Sequence, residues 1–179
     1  IYYSLGLEKI CKDISDKYRI KYDLNSILSN LIYTRIIEPS SKLSAFETAK
    51  SFLEQPNYEL QNIYRALEII SKETENIEAS VYKNSLKIVN RNTKILYYDC
   101  TNYFFEIEEA EGIKQYGKNK ENRPLPIVQM GLFMDGDGVP LAFVIDSGNT
   151  NEQVTLKPLE KQIIKDFELS KFVVCTDAG

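Results

Sequence analysis

Apolar residues recur at three- and four-residue intervals through the first half of the chain. In the second half they form short continuous runs. Leu24, Ile27, Leu28, Leu31 and Ile32 fall on one helical face behind Asp23, a residue suited to N-capping. Pro39-Ser40-Ser41 closes that helix and opens the next, with Ser40 or Ser41 as cap, and Ala45, Phe46, Ala49 and Phe52 carry the apolar face onward. Gln55-Pro56-Asn57 is a break. Ile63, Leu67 and Ile70 mark a third helix, and Val81, Leu86 and Val89 a fourth that runs to about Asn90.

The pattern changes at Asn92-Thr93. Residues 94–101 (KILYYDCT) are apolar, β-branched and aromatic and predict a buried strand, which Tyr103 to Ile107 extends or pairs with. Residues 108–124 read as a polar loop. Residues 125–134 (LPIVQMGLFM) predict a second strand, Asp135-Gly136-Asp137-Gly138 a hairpin turn, and residues 139–145 the returning strand. Residues 147–151 form a loop. Residues 155–167 form a helix with Leu156, Leu159, Ile163 and Phe167 on one face, Pro158 fitting its first turn. Residues 171–176 (KFVVCT) predict a short buried strand. Helices, three antiparallel strands, a crossover helix and a fourth strand predict an α+β fold, with a helical region over 1–92 and a mixed sheet over 93–179; the order suits a sheet of the RNase H-like kind, though order alone allows other sheets.

Charge and composition narrow the chemistry. Residues 1–92 carry 13 basic and 12 acidic side chains, for +1, and residues 93–179 carry 9 and 14, for −5. The acidic half is therefore the place to look for a metal site. The chain has no histidine, which excludes Ser-His-Asp, Cys-His and His-ligated zinc chemistry among these residues, and leaves any active site to carboxylates. Cys11, Cys100 and Cys175 are widely spaced, which argues against a disulfide framework or a zinc site and for a cytoplasmic protein. No apolar run approaches the roughly 20 residues that span a bilayer. The chain lacks an initiator Met, and its start is expected to lie upstream.

Asp99 is the most informative residue. It interrupts the apolar run Ile95 to Thr101, where a buried carboxylate is costly unless it is paired, hydrogen-bonded or bound to a cation. Asp177 follows the strand Phe172 to Thr176 directly. Each has a plainer reading alone, Asp99 as a strand-end residue bonded to nearby backbone or to Asn102, Asp177 as a turn residue before Ala-Gly. Together they can meet at one sheet edge after a single crossover, where they would repel unless a divalent cation bridges them. Oxygen ligands without His or Cys suit Mg²⁺ or Mn²⁺.

Several ordered motifs then agree. Residues Tyr97 to Phe105 (YYDCTNYFF) resemble the first-aspartate motif of bacterial insertion-sequence transposases with a DDE domain. Residues 123–132 (RPLPIVQMGL) resemble the following strand of that group, Gly148 to Glu152 the loop before the crossover helix, and Val174 to Gly179 the second-aspartate motif. Arg35 to Lys42 and Ile63 to Leu67 resemble its helical N-terminal region. The resemblance implies an RNase H-like domain in which Asp99, Asp177 and a Glu hold two Mg²⁺ ions. It implies cleavage of double-stranded DNA at element ends, transfer of the 3′-hydroxyl strand to target DNA, and self-association of the full-length protein. The implied Glu lies beyond Gly179; Glu152 and Glu160 precede the second aspartate's strand and cannot stand in. The chain therefore reads as a fragment, inactive alone.

Lys114, Lys118, Lys120 and Arg123 cluster in the polar loop around Tyr116 and suit phosphate contacts, or else form a solvated loop offset by Glu108, Glu109, Glu111 and Glu121. Gly148 and Asn149 shape a tight turn, though Asn149 could reach the metal edge. Gln129 faces either the catalytic edge or an exposed surface. Ser4, Ser41 and Thr176 have no base to activate them. The tyrosines lack the His that tyrosine recombination requires. Two other readings stand beside the transposase: an RNase H-fold nuclease or resolvase that cuts without joining, and a non-catalytic DNA-binding remnant.

Overall fold

A computed structural model describes residues 1–119, 121 and 123–176, and divides the chain into two compact units, Ile1–Ile88 and Val89–Gly179. Among the described residues no helix is long and apolar enough to cross a membrane.

The first unit holds α1 (Leu7–Tyr18), α2 (Leu24–Ile37), α3 (Lys42–Ala49), α4 (Leu60–Lys72) and α5 (Thr74–Ser85). Asp23 caps α2 by accepting from the Ser26 N–H at 2.9 Å, and Ser41 caps α3 by accepting from Ser44 at 3.1 Å. These side chains satisfy backbone donors that a helix start leaves open. Leu7, Ile10, Cys11 and Ile14 of α1 bury against Leu24 and Ile27 of α2 and Ile63 and Ala66 of α4. α5 stops at Ser85, short of the Asn90 that periodicity suggests. Leu86, Ile88 and Val89 stand about half exposed, so no packing rewards further helix there.

The joint of α4 and α5 is pinned by Glu73, whose side chain is only 4% exposed. Its carboxylate accepts from Lys17 Nζ at 2.5 Å, Tyr18 Oη at 2.7 Å and Asn76 Nδ2 at 3.0 Å. The Lys17 bond, then the Tyr18 bond, hold its pKa below the ordinary carboxylate value. A lowered folded pKa stabilises fully above that ordinary value, and the contribution is lost as pH falls through the folded one. Glu73→Ala is expected to cost roughly 2 kcal/mol at neutral pH. In urea titrations the gap between variant and parent should shrink as the medium is acidified below pH ~4.

The second unit holds β1 (Ile95–Phe104), β2 (Ile127–Asp135), β3 (Pro140–Ser147), α6 (Glu152–Asp166) and β4 (Val173–Thr176). The sheet order is β3-β2-β1-β4, with β1, β2 and β3 antiparallel and β4 parallel to β1. Three antiparallel strands with a fourth laid parallel beside the first, after a crossover helix, form the RNase H-like α+β sheet that the sequence predicts. Pro140 sits on edge strand β3, where a missing ladder donor is tolerated. α6 packs on β2 and β3, and its Thr155, Leu159 and Ile163, with Phe167 just past its end, are all buried at four-residue spacing.

Two expectations are corrected. Pro158 is not in the first turn of α6, because the helix begins at Glu152 and the proline lies in its second turn. It is tolerated because Pro158 and Val154, whose carbonyl loses its helical donor, are on the exposed side. β4 is not a buried strand: it is at a margin of the sheet, and Val173 is 63% exposed.

Candidate metal and nucleic-acid site

β1 alternates strictly. Leu96, Tyr98 and Cys100 are buried beneath the helix-covered face, while Ile95, Tyr97, Asp99, Thr101 and Tyr103 stand on the other, exposed face. The expectation of a buried Asp99 is therefore wrong. A run of large apolar and aromatic residues looks wholly buried in sequence, but Ile95 and Tyr97 are themselves outward and Asp99 shares their face. Across the ladder Asp99 pairs with Leu132, and Leu132 with Phe143, so its two neighbours in that row are apolar.

β4 meets β1 in parallel register, Ile95 opposite Val173, Tyr97 opposite Cys175 and Tyr98 opposite Thr176. Asp177, the other aspartate expected at the site, lies outside the described residues, as does Lys120. Among the described residues no group of three or more His, Cys, Asp or Glu side chains is placed to hold a metal ion.

The helix-covered face carries its own polar cluster. Tyr98 Oη contacts Thr155 Oγ1 and lies 3.2 Å from Cys100 Sγ, and burial, then the Cys100 bond, pushes the phenol pKa well up, keeping it protonated. Gly131 lies under this ring: a Cβ there would come 2.4 Å from Tyr98 Oη. Gln129 is 2% exposed and pairs in register with Asn102 on this same face. It is thus neither on an exposed surface nor on the face of Asp99, which corrects both readings. Asn149 sits in a turn closed by Thr150 N–H to Ser147 O at 2.9 Å, and accepts from Ser147 Oγ at 2.7 Å.

The polar loop between β1 and β2 is a strap laid along the sheet. Gln115 and Ile127 exchange backbone hydrogen bonds at 3.0 and 2.8 Å, and the Gly148 N–H reaches Ile113 O at 3.1 Å. Gly117 and Gly148 make the approach possible: a Cβ on Gly117 would fall 1.8 Å from Gly148 O, and one on Gly148 2.2 Å from Ile127 O. Lys114 Nζ lies 5.2 Å from the Phe105 ring centre, and the Arg123 guanidinium 5.1 Å from that of Phe104. Arg123 is also paired with Glu121 at 2.6 Å. Lys118 is exposed.

The fold and this exposed carboxylate define an α+β protein with an RNase H-like sheet bearing an aspartate on its open face. No protein-family model and no curated protein matches the chain. Among solved structures, the Mos1 transposase paired-end complex with left transposon end is similar at 12% identity and a TM-score of 0.33, over 86% of this chain and 52% of that one. The chain thus spans about half the length of that transposase chain.

Proposed function

We propose that the second unit is the leading part of a DDE transposase catalytic region, in which Asp99 and Asp177 are two of three carboxylates that hold divalent cations against a DNA phosphodiester. The observation that carries this reading is the β1–β4 register. Tyr98, the residue before Asp99, stands opposite Thr176, the residue before Asp177. Asp99 itself stands on the open surface, where a cation and its waters have room.

The donor set fits Mg²⁺ or Mn²⁺. These ions need only one or two carboxylates when waters and phosphate oxygens complete the shell, and an outward carboxylate leaves room for both. When bound, they activate an attacking water or 3′-hydroxyl and stabilise the leaving oxygen. The chain's own part is to fix Asp99 on a hydrogen-bonded strand, so that this ligand need not be ordered at the moment of binding. The motif order that resembles insertion-sequence transposases adds the third ligand, a Glu following residue 179. On the same reading the substrates are double-stranded element ends and target DNA, and the helical unit serves DNA binding or self-association.

The test is an assay of a protein that continues through the third carboxylate. The expected result is Mg²⁺-dependent cleavage at element ends and joining of the freed 3′-hydroxyl to a second duplex. Cleavage without joining would replace the transposase with an RNase H-fold nuclease, and no cleavage with either ion would refute the metal site.

A further inference from the structure

We infer that the basic strap splits its labour: Lys114 grips a phosphate of the DNA that reaches Asp99, whereas Arg123 is a structural residue of the strap. This rests on the nucleic-acid reading above and assigns that site a positioning residue.

The argument starts from the alternation of β1. Phe105 follows the strand, and its N–H donates to Pro126 O at 2.9 Å, so the ladder continues for one more residue. Phe105 therefore keeps the parity of Tyr97, Asp99, Thr101 and Tyr103 and belongs to the open face. Lys114 lies over the Phe105 ring, which places its ammonium at the end of the row that carries Asp99. Phe104 has the opposite parity, and Arg123 lies over it, on the helix-covered side. Phe105 lies six residue steps beyond Asp99, about 20 Å along the strand. A duplex presents a phosphate every 3.4 Å per strand, so one DNA segment reaches both positions.

Lys114 is also held in place. The two-way backbone bonding of the adjacent Gln115 to Ile127 fixes its main chain, and the ring attracts its ammonium, so gripping a phosphate orders little that is not already ordered. A cation over a ring face keeps its N–H donors available for a second partner. Arg123 differs. Glu121 pairs with its guanidinium at 2.6 Å, its backbone N–H donates to Asn119 Oδ1 at 3.0 Å, and its carbonyl accepts from Asn119 Nδ2 at 3.0 Å. Its main chain is thus tied to the strap's own turn, and Glu121 offsets its charge.

The experiment is fluorescence-anisotropy binding of a labelled random-sequence DNA duplex across a salt series, in EDTA, so that no carboxylate–metal contact contributes. Lys114→Ala should reduce the steepness of the log affinity–log salt plot by ~0.9 and weaken binding about five- to tenfold near 0.1 M salt. Lys114→Arg should restore both. Arg123→Ala should leave the slope unchanged while lowering the melting temperature. Equal slopes for Lys114→Ala and parent, an Arg123→Ala slope reduced as much as that of Lys114→Ala, or no duplex binding by the parent would each overturn the proposal. Circular dichroism melting of Lys114→Ala guards against a folding artefact, and Phe105→Leu, which keeps the lysine but removes its ring, should give an intermediate affinity. The metal-site reading fails separately, on cation-dependent readouts that EDTA removes from this assay.

Discussion

Asp99→Asn should reduce Mg²⁺-dependent strand cleavage on the order of 10³-fold, in a protein that extends this chain to the third carboxylate. Asn keeps the shape of Asp but loses a full negative charge and one anionic oxygen, the two properties a hard cation requires. Because Asp99 stands on the open face, the change disturbs no packing, and the melting temperature should stay close to that of the parent. DNA affinity measured in EDTA should be unchanged or slightly higher, since a negative charge facing phosphates has been removed. Cleavage that persists at parental rates would remove Asp99 from the site.

Much of this was legible in sequence. The caps at Asp23 and Ser41, the hairpin at residues 135–138 and the apolar stripe of α6 are local signals, set by neighbouring residues. Helix α1 is missing from the sequence reading, although Leu7, Ile10, Cys11 and Ile14 are spaced by the same rule. What sequence did not reveal is facing. An apolar run such as Ile95 to Cys100 is compatible with burial on both sides or on one, and only the position of α6 decides which. Hence Asp99 was placed in a buried environment it does not occupy, and Gln129 on faces it does not share. In sequence the strap shows its charges and Tyr116, but not its path. Its Gly117–Gly148 contact joins residues far apart in the chain, and that contact determines which basic residues are held against the sheet.

Arg91→Ala should destabilise the second unit by about 3–5 kcal/mol, a large part of a typical domain's roughly 5–15 kcal/mol. Asp135, fully buried, is ion-paired with the Arg91 Nε–H group; its other oxygen accepts from the Asp137 and Val139 N–H groups at 3.0 and 2.9 Å. Arg91 Nη2 also donates to the Val139 and Pro140 carbonyls, both at 3.1 Å. Removing Arg91 leaves a carboxylate in the interior without its countercharge and two hairpin carbonyls without that donor. Lysine cannot repair the loss, because a single ammonium lacks the fork that bonds carboxylate and carbonyls at once. Urea unfolding followed by tyrosine fluorescence measures the difference, and Arg91→Lys should recover less than half of it. A loss for Arg91→Ala under ~1 kcal/mol would mean that the pair is replaced by water. The turn residues 135–138 announce the hairpin, but nothing near them points to an arginine 44 positions earlier.

The shared-cation claim is tested most directly by paramagnetic broadening of backbone amide signals on titrating Mn²⁺ into this chain. The account predicts broadening centred on Tyr98 to Cys100 together with Thr176 to Ala178, and its disappearance in Asp99→Asn. Broadening centred instead on Glu106 to Glu111, or unchanged in Asp99→Asn, would contradict it.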